Sequence, residues 1–496
     1  MISSRPPGSK ARSSPSQSSD RERRWRSYSS RPFRHEIHAA LSPPIGGFLY
    51  PNNKQFSIIS YMLVQKMKGL SGWFIVGALS VSPLFIWATI QPLSERFATF
   101  TTTLTSIGQM LGLVGMAMFA LNLILSTRHP ILERFFNGMN RVYLAHHTFG
   151  AIAFSLLLFH PIFLALKFAF VASPRDAALF LLSTNPPILW GIFALLSMML
   201  FLVLTFFVSF AYDKWRITHK FLAASFILAS IHTLIIYSDT QVSSLLYWYM
   251  VFFVVLGLIP IIYRTVAPKL FVSYIEYIVD EVRPMDEHTV EIFMKPVFKP
   301  FTYKAGQFIF ISFKTEIVGD EFHPFSIVSS PDESRLAIAV KTLGDHTGKF
   351  KLIAKNTVAK IEGPFGVFSN ERAPGKNQLW IAGGIGITPF IGMAKAIIDP
   401  AYRIKIYYCV TNKTEAVFLE ELIAVAQKNP NITIATFCSN ERGYISADAL
   451  QAMGEDIFAN EILICGPVPL MHSLKKQLTA KGVSRAHIHT EEFALR

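Results

Sequence analysis

Between Leu70 and Tyr263 the chain alternates long apolar stretches with short polar ones. Six stretches, roughly Leu70–Gln91, Leu104–Ser126, Tyr143–Phe170, Pro187–Tyr212, His219–Tyr237 and Ser244–Tyr263, are long enough to cross a hydrocarbon core as helices. From about Val272 the pattern shortens. β-Branched runs such as Gln307–Phe313 and Leu336–Lys341, broken by Gly, Pro and Asp, predict an antiparallel barrel to about Phe368. After a polar linker at Ser369–Gln378, strand-like runs at Leu379–Ala382, Ile404–Val410, Ile432–Phe437 and Glu461–Cys465 alternate with helical patterns such as Glu415–Gln427 and Val468–Ala480. That alternation predicts a parallel sheet. Residues 1–60 are rich in Ser, Arg and Pro, without apolar periodicity or a signal-peptide core, and read as a disordered basic arm, with Met62 or Met67 as alternative starts. The expected organisation is an arm (1–60), a membrane domain (70–263), a barrel (272–368) and an α/β domain (376–496).

Composition agrees: of 496 residues, 51% are hydrophobic and only 16% charged. The net charge of +14 sits in the arm and in short loops between apolar runs, which suits anionic lipid head groups and argues against nucleic acid. Arg128, Arg134, Arg141, Lys214, Arg216, Lys220, Arg264 and Lys269 fall on one side of the membrane, against Arg96, Lys167 and Arg175 on the other. The excess of basic residues puts both termini in the cytosol, at a plasma or inner membrane. Cys409, Cys438 and Cys465 are the only cysteines, at spacings that suit neither a disulfide framework nor structural zinc.

Imidazoles in hydrocarbon point to function. The third apolar run holds His146, His147 and His160; the fifth holds His219 and His232. His146 and His160 are 14 residues apart, about 21 Å along one helix face. His219 and His232 are 13 apart, about 20 Å, so if both helices run outward His146 lies level with His219 and His160 with His232. Each level offers two imidazoles across a gap, as a six-coordinate haem iron requires. Thirteen residues leave His219 and His232 about 140° apart on an ideal helix, so the fifth helix needs an irregularity between them. His147 is an alternative to His146.

These histidines resemble those of the ferric reductase and NADPH oxidase superfamily of transmembrane flavocytochromes, including the pattern His146-His147-Thr148-Phe149-Gly150. The resemblance implies a six-helix haem-binding bundle followed by a ferredoxin reductase-like module, a flavin barrel plus an α/β nucleotide domain. His323-Pro324-Phe325-Ser326 is similar to the family's flavin signature, with Ser326 as the hydroxyl near the ring nitrogen that accepts hydride. Lys341 and the turn Gly344-Asp345-His346-Thr347-Gly348, leading into a helix, are placed to receive a pyrophosphate, and Gly363-Pro364-Phe365-Gly366 closes the barrel. FAD rather than FMN follows from the family.

Gly383-Gly384-Ile385-Gly386-Ile387-Thr388-Pro389 follows a strand and opens a helix, where backbone can approach a dinucleotide pyrophosphate. It resembles the nucleotide turn of ferredoxin reductases, as Cys465-Gly466-Pro467 resembles their second turn, which implies Cys465 near the nicotinamide. The terminal Glu491-Glu492-Phe493 is similar to the family's acidic-aromatic ending, whose ring covers the flavin; Phe493 is that ring. Lys413 or Arg442 would hold the 2′-phosphate of NADPH in preference to NADH. The expected activity is electron transfer from NADPH through FAD and two b-type haems to an acceptor on the far side. The short outer loops, Ser238–Ser243 above all, place oxygen ahead of a ferric chelate, with a periplasmic or extracellular protein acceptor as a further alternative.

Overall fold

The computed structural model describes residues 69–491 except 211, 320, 343 and 345. The arm, Met62, Met67 and Phe493 lie outside the described residues. Six helices are long and apolar enough to cross a membrane: α1 (Gly69–Ile90), α2 (Phe100–Leu125), α3 (Met139–Val171), α4 (Pro186–Phe206), α5 (Lys214–Ile235) and α6 (Ser244–Val266). Helices suit such sequences because all their interior backbone bonds close within the segment. Large apolar side chains such as Phe74, Phe85, Phe206 and Trp248 stand exposed on them, as a lipid-facing surface requires.

Helix α2 is the centre of the bundle, burying Leu113, Met116, Ala117, Phe119 and Ala120 among its neighbours. Its first turn is held by reciprocal bonds between Thr99 and Thr102. Helix α5 carries the expected irregularity: it runs as Tyr212–Lys220 and Leu222–Ile235, and the break at Phe221 is tightened by Phe221 N–H to Thr218 C=O (3.2 Å) and Ala224 N–H to Phe221 C=O (2.9 Å). At the opposite end from the soluble half, Arg96 is buried, ion-paired to Asp239 at 2.8 Å and stacked 3.8 Å from the Trp87 ring centre. Asp239 belongs to the short loop Ser238–Ser243, which this pair pins onto the bundle.

Six strands, β1 (Ile275–Pro284), β2 (Thr289–Pro296), β3 (Phe308–Phe313), β4 (His323–Ser326), β5 (Leu336–Lys341) and β6 (Val358–Phe365), form an antiparallel sheet in the order β4-β3-β6-β1-β2-β5. A bridge between Ile327 and Ile338 nearly closes it into a barrel. Strands β7 (Asn377–Gly383), β8 (Arg403–Val410), β9 (Ile432–Cys438), β10 (Glu461–Cys465) and β11 (Ile488–Glu491) form a parallel sheet in the order β11-β10-β7-β8-β9. Helices α7 (Thr388–Ala396), α8 (Leu419–Lys428) and α9 (Val468–Ala480) lie between its strands.

Three local expectations need correction. The residues after Gly344 form a short 3-10 helix, Thr347–Leu352, rather than an α-helix, with the poor helix former Gly348 in its first turn. Helix α8 starts at Leu419 rather than Glu415, the chain first making a 3-10 turn at Lys413–Glu415. The linker Ser369–Gln378 is not loose: Gln378 is buried in β7, donating to the carbonyls of Asn370 and Gly375 (both 2.9 Å) and accepting from Trp380 Nε1 (2.9 Å).

Candidate functional site

Within the bundle the structure brings four of the five membrane histidines into two facing pairs. His146 and His219 have ring centres 6.1 Å apart, and His160 and His232 have theirs 6.3 Å apart. A ring nitrogen sits about 2 Å from a first-row metal ion, so two axial imidazoles on one iron have ring centres about 6.3 Å apart. Both pairs meet that geometry, and each could hold one haem. His147 lies beside His146, with ring centres 5.9 Å apart, so His146 is the ring across from His219.

Backbone carbonyls of neighbouring helices orient three of the rings. His146 Nδ1 is 3.0 Å from Asn122 C=O, His160 Nδ1 2.6 Å from Gly108 C=O, and His232 Nδ1 2.7 Å from Pro187 C=O. A proton on Nδ1 leaves Nε2 as the free ligand, the arrangement that fixes tautomer and ring angle around a metal. His219 Nδ1 has no such partner among the described residues; its ring instead stacks on Trp215, centres 5.4 Å apart and planes within 11°. The rings approach their neighbours this closely only because those helices carry glycine there. A Cβ at Gly112 or Gly191 would sit 2.8 Å from Nδ1 of His160 or His232. Sequence inspection missed both glycines, although a glycine inside a membrane helix marks a close approach.

The residues expected at flavin and nucleotide gather in the soluble half. Ser326 is buried at the end of β4, opposite Phe308 on β3; Phe308 packs under Gly366; Gly366 faces the Glu491 carboxylate; and Glu491 pairs with Cys465 across β10 and β11. This relay of neighbours links the expected flavin hydroxyl to the expected nicotinamide thiol through Phe308, Gly366 and Glu491. The two glycine turns meet backbone to backbone, a Cβ at Gly386 falling 2.4 Å from Cys465 C=O. Thr388 and Pro389 open α7 beyond the first turn, and Pro467 precedes α9 beyond the second. Burial pushes the Cys465 thiol up, and the Glu491 carboxylate increases the effect, so the thiol stays protonated. Lys413 and Arg442 lie beyond the ends of β8 and β9, in loops joined by Asn440 N–H to Thr411 C=O (3.1 Å).

His323 on β4 stacks near His346, ring centres 4.0 Å apart, with Pro324 and Phe325 following on the strand. Burial, then the neighbouring His323, lowers His346 to about 4. Lys341 ends β5, and Gly344 and Thr347 form the turn after it, with Thr347 Oγ1 3.5 Å from Gly344 C=O. With only a 3-10 turn behind them, these residues offer a phosphate a cation and backbone amides rather than an α-helix dipole.

The junction between the halves was not anticipated from sequence. Glu133, on the short helix Pro130–Phe136, accepts from Met139 N–H at the start of α3 (3.0 Å) and from Gly366 N–H (2.9 Å). Asn140 on α3 donates to Glu491 (3.2 Å). Arg264 bonds Thr127 C=O (2.6 Å) and pairs with Glu362, and the Arg128 guanidinium lies 4.1 Å from the Phe310 ring centre. Phe308, Phe310 and Phe365 belong to the same apolar cluster as the bundle. Burial, then the nearby Glu133, pushes Glu491 up to about 8, and burial raises Glu133.

Three families match successive stretches: a ferric reductase like transmembrane component over residues 111–230, an FAD-binding domain over 276–381 and an oxidoreductase NAD-binding domain over 380–476. The ferredoxin reductase component of 3-ketosteroid-9-alpha-monooxygenase from Rhodococcus rhodochrous is 29% identical over 199 residues, covering 39% of this chain and 56% of that protein. A superoxide-generating NADPH oxidase heavy chain from Dictyostelium discoideum is 30% identical over 135 residues, 24% of this chain and 26% of that protein. The chain thus spans between about a quarter and two thirds of the length of curated relatives such as these. A ferredoxin NADP+ reductase from Neisseria gonorrhoeae, solved with FAD and NADP, is 18% identical over 44% of this chain and 98% of that one, at a TM-score of 0.39, too low to carry weight.

Proposed function

A ferric reductase-like membrane component joined to FAD- and NAD-binding domains gives this chain the architecture of ferric reductases and NADPH oxidases, and we propose that it carries electrons from NADPH through FAD and two b-type haems to oxygen across the membrane. The observation that carries the reading is the pair of histidine levels, with ring centres 6.1 and 6.3 Å apart. Bound FAD would turn a two-electron hydride donor into single-electron steps, and the haems would relay those electrons.

The chain's own residues supply position and polarity. His146 with His219, and His160 with His232, would hold the two haems, and the carbonyls of Asn122, Gly108 and Pro187 orient three of these rings. Ser326 places a hydroxyl at the flavin, with His323, Pro324, Phe325, Lys341, Gly344, His346 and Thr347 lining its pocket. Gly383, Gly384, Gly386, Thr388, Pro389, Gly466 and Pro467 bring backbone to the dinucleotide, and Cys465, a protonated thiol, lies at the nicotinamide. Lys413 and Arg442 select NADPH by its 2′-phosphate. Phe493, the ring proposed to shield the flavin, lies outside the described residues. The excess of basic residues on the soluble-facing loops supports a cytosolic position for both termini.

Oxygen is favoured over a ferric chelate for two reasons. The outer loop Ser238–Ser243 is short and pinned by Arg96, and among the described residues the one cluster suited to a metal ion lies on the barrel. The Dictyostelium relative, named as a superoxide-generating oxidase, points the same way. The deciding experiment is anaerobic absorption spectroscopy of the detergent-purified protein with FAD and NADPH, then air or ferric chelate in parallel. Haem bands that reduce and then vanish in air with superoxide formed support the oxidase. Slow reaction with air and fast reaction with chelate makes it a ferric reductase, and absence of haem bands refutes the reading.

A further inference from the structure

On the barrel, Glu321, His323 and His346 each turn one ligand atom toward a common point, all within 4.8 Å of one another. Glu321 Oε2 is 3.2 Å from His323 Nε2 and 3.9 Å from His346 Nδ1. Ligands about 2.0–2.1 Å from a tetrahedral zinc ion lie about 3.3 Å from each other. The first separation already matches that edge, and the second needs a shift of about half an ångström, within the reach of a side-chain rotation. The other carboxylate oxygen, Oε1, faces Arg216 at 3.9 Å, which holds Oε2 toward the imidazoles. Nε2 of His346 is buried without a hydrogen-bond partner among the described residues. Two imidazoles and one carboxylate make a three-ligand donor set of the type zinc favours over magnesium or calcium, a water completing the tetrahedron.

We propose that Glu321, His323 and His346 bind a divalent transition-metal ion of the zinc type, and that this ion and the flavin exclude one another. The exclusion rests on the reading that His323 and His346 line the flavin pocket; the metal site does not. A metal ion would draw both rings onto Glu321 and away from the cofactor, so zinc acts as a lock on flavin loading. Arg216 lies three residues before His219 on α5, so its contact with Glu321 ties the metal site to the helix of the inner histidine pair.

The test uses the full-length, tag-free protein in detergent, stripped of flavin, with Zn2+ titrated against a chromophoric chelator. One equivalent of Zn2+ should bind, at least tenfold more weakly in Glu321→Gln and in His346→Ala, and saturating FAD should weaken Zn2+ binding at least tenfold in the wild type. Glu321→Gln should take up FAD like the wild type while losing the zinc effect. Equal zinc affinity in the wild type and both variants overturns the site. Zinc binding that needs Glu321 and His346 but is indifferent to bound FAD overturns the lock. Flavin uptake measured without zinc reports separately on the flavin reading.

Discussion

If the two histidine pairs hold haem as proposed, replacing Gly191 with alanine should empty the outer site while sparing the inner one. The new methyl would sit 2.8 Å from His232 Nδ1 and 2.9 Å from its Cε1. Ordinary contact starts about 0.6 Å further out. The ring must therefore tilt or α4 must retreat, and either change breaks the 2.7 Å bond from His232 Nδ1 to Pro187 C=O and disturbs the 6.3 Å spacing to His160. An orphaned buried donor costs about 1–3 kcal/mol, and loss of the partner that orients a metal-ligating imidazole weakens metal binding about 10–100-fold. Haem per polypeptide, measured as the pyridine complex after a fixed dilution and wash, should fall from two toward one, and one of two potentials should vanish from a redox titration. Gly77→Ala is the control, since a Cβ there meets nothing within 4 Å. A Gly191→Ala protein that keeps two haems at unchanged potentials would refute both the ligand assignment and the close-approach argument.

Other outcomes follow from the same geometry. His146→Gln should remove one haem and His147→Gln neither, read from haem content; the reverse result would transfer the inner ligand to His147. Glu491 is held up to about 8 from an ordinary 4.5 by burial and then by Glu133, so its contribution favours the folded form most at acid pH and declines as pH rises from about 4.5 to about 8. Glu491→Gln should flatten that part of the thermal-stability profile, and an unchanged slope would show that other groups set it. Arg264→Ala leaves the Glu362 carboxylate half-enclosed without its cation, a loss of about 3 kcal/mol at the junction. Faster proteolytic release of the soluble half and slower haem reduction by NADPH should follow, with flavin content unchanged.

The parts of the molecule that could be read from sequence are those in which one residue type has one physical reason to be there. Apolar length located the six membrane helices to within about six residues, the largest miss being the fourth, expected to reach Tyr212 but ending at Phe206. The 14 and 13 spacings put the histidines at two levels and required a break in α5, which lies at Phe221. Strand positions in the α/β half were legible for the same reason, β10 matching residue for residue. The carbonyls that orient the rings left no trace, because every residue has a carbonyl and only the fold selects Asn122, Gly108 and Pro187. The junction was equally hidden: Glu133 lies between two membrane helices like any loop carboxylate, and its role appears only once Gly366, far away in sequence, is brought to it.

Phe308, Phe310 and Phe365 are barrel residues by sequence but core residues of the bundle by packing. Made without the membrane helices, the soluble half would present these three rings, with the unpaired Glu362 and Gly366 beside them, as a raw apolar patch. The order of synthesis meets this need, since the helices leave the ribosome first and stand ready as the surface on which the barrel closes. The membrane half in this sense completes the core of the barrel, whose three rings it covers.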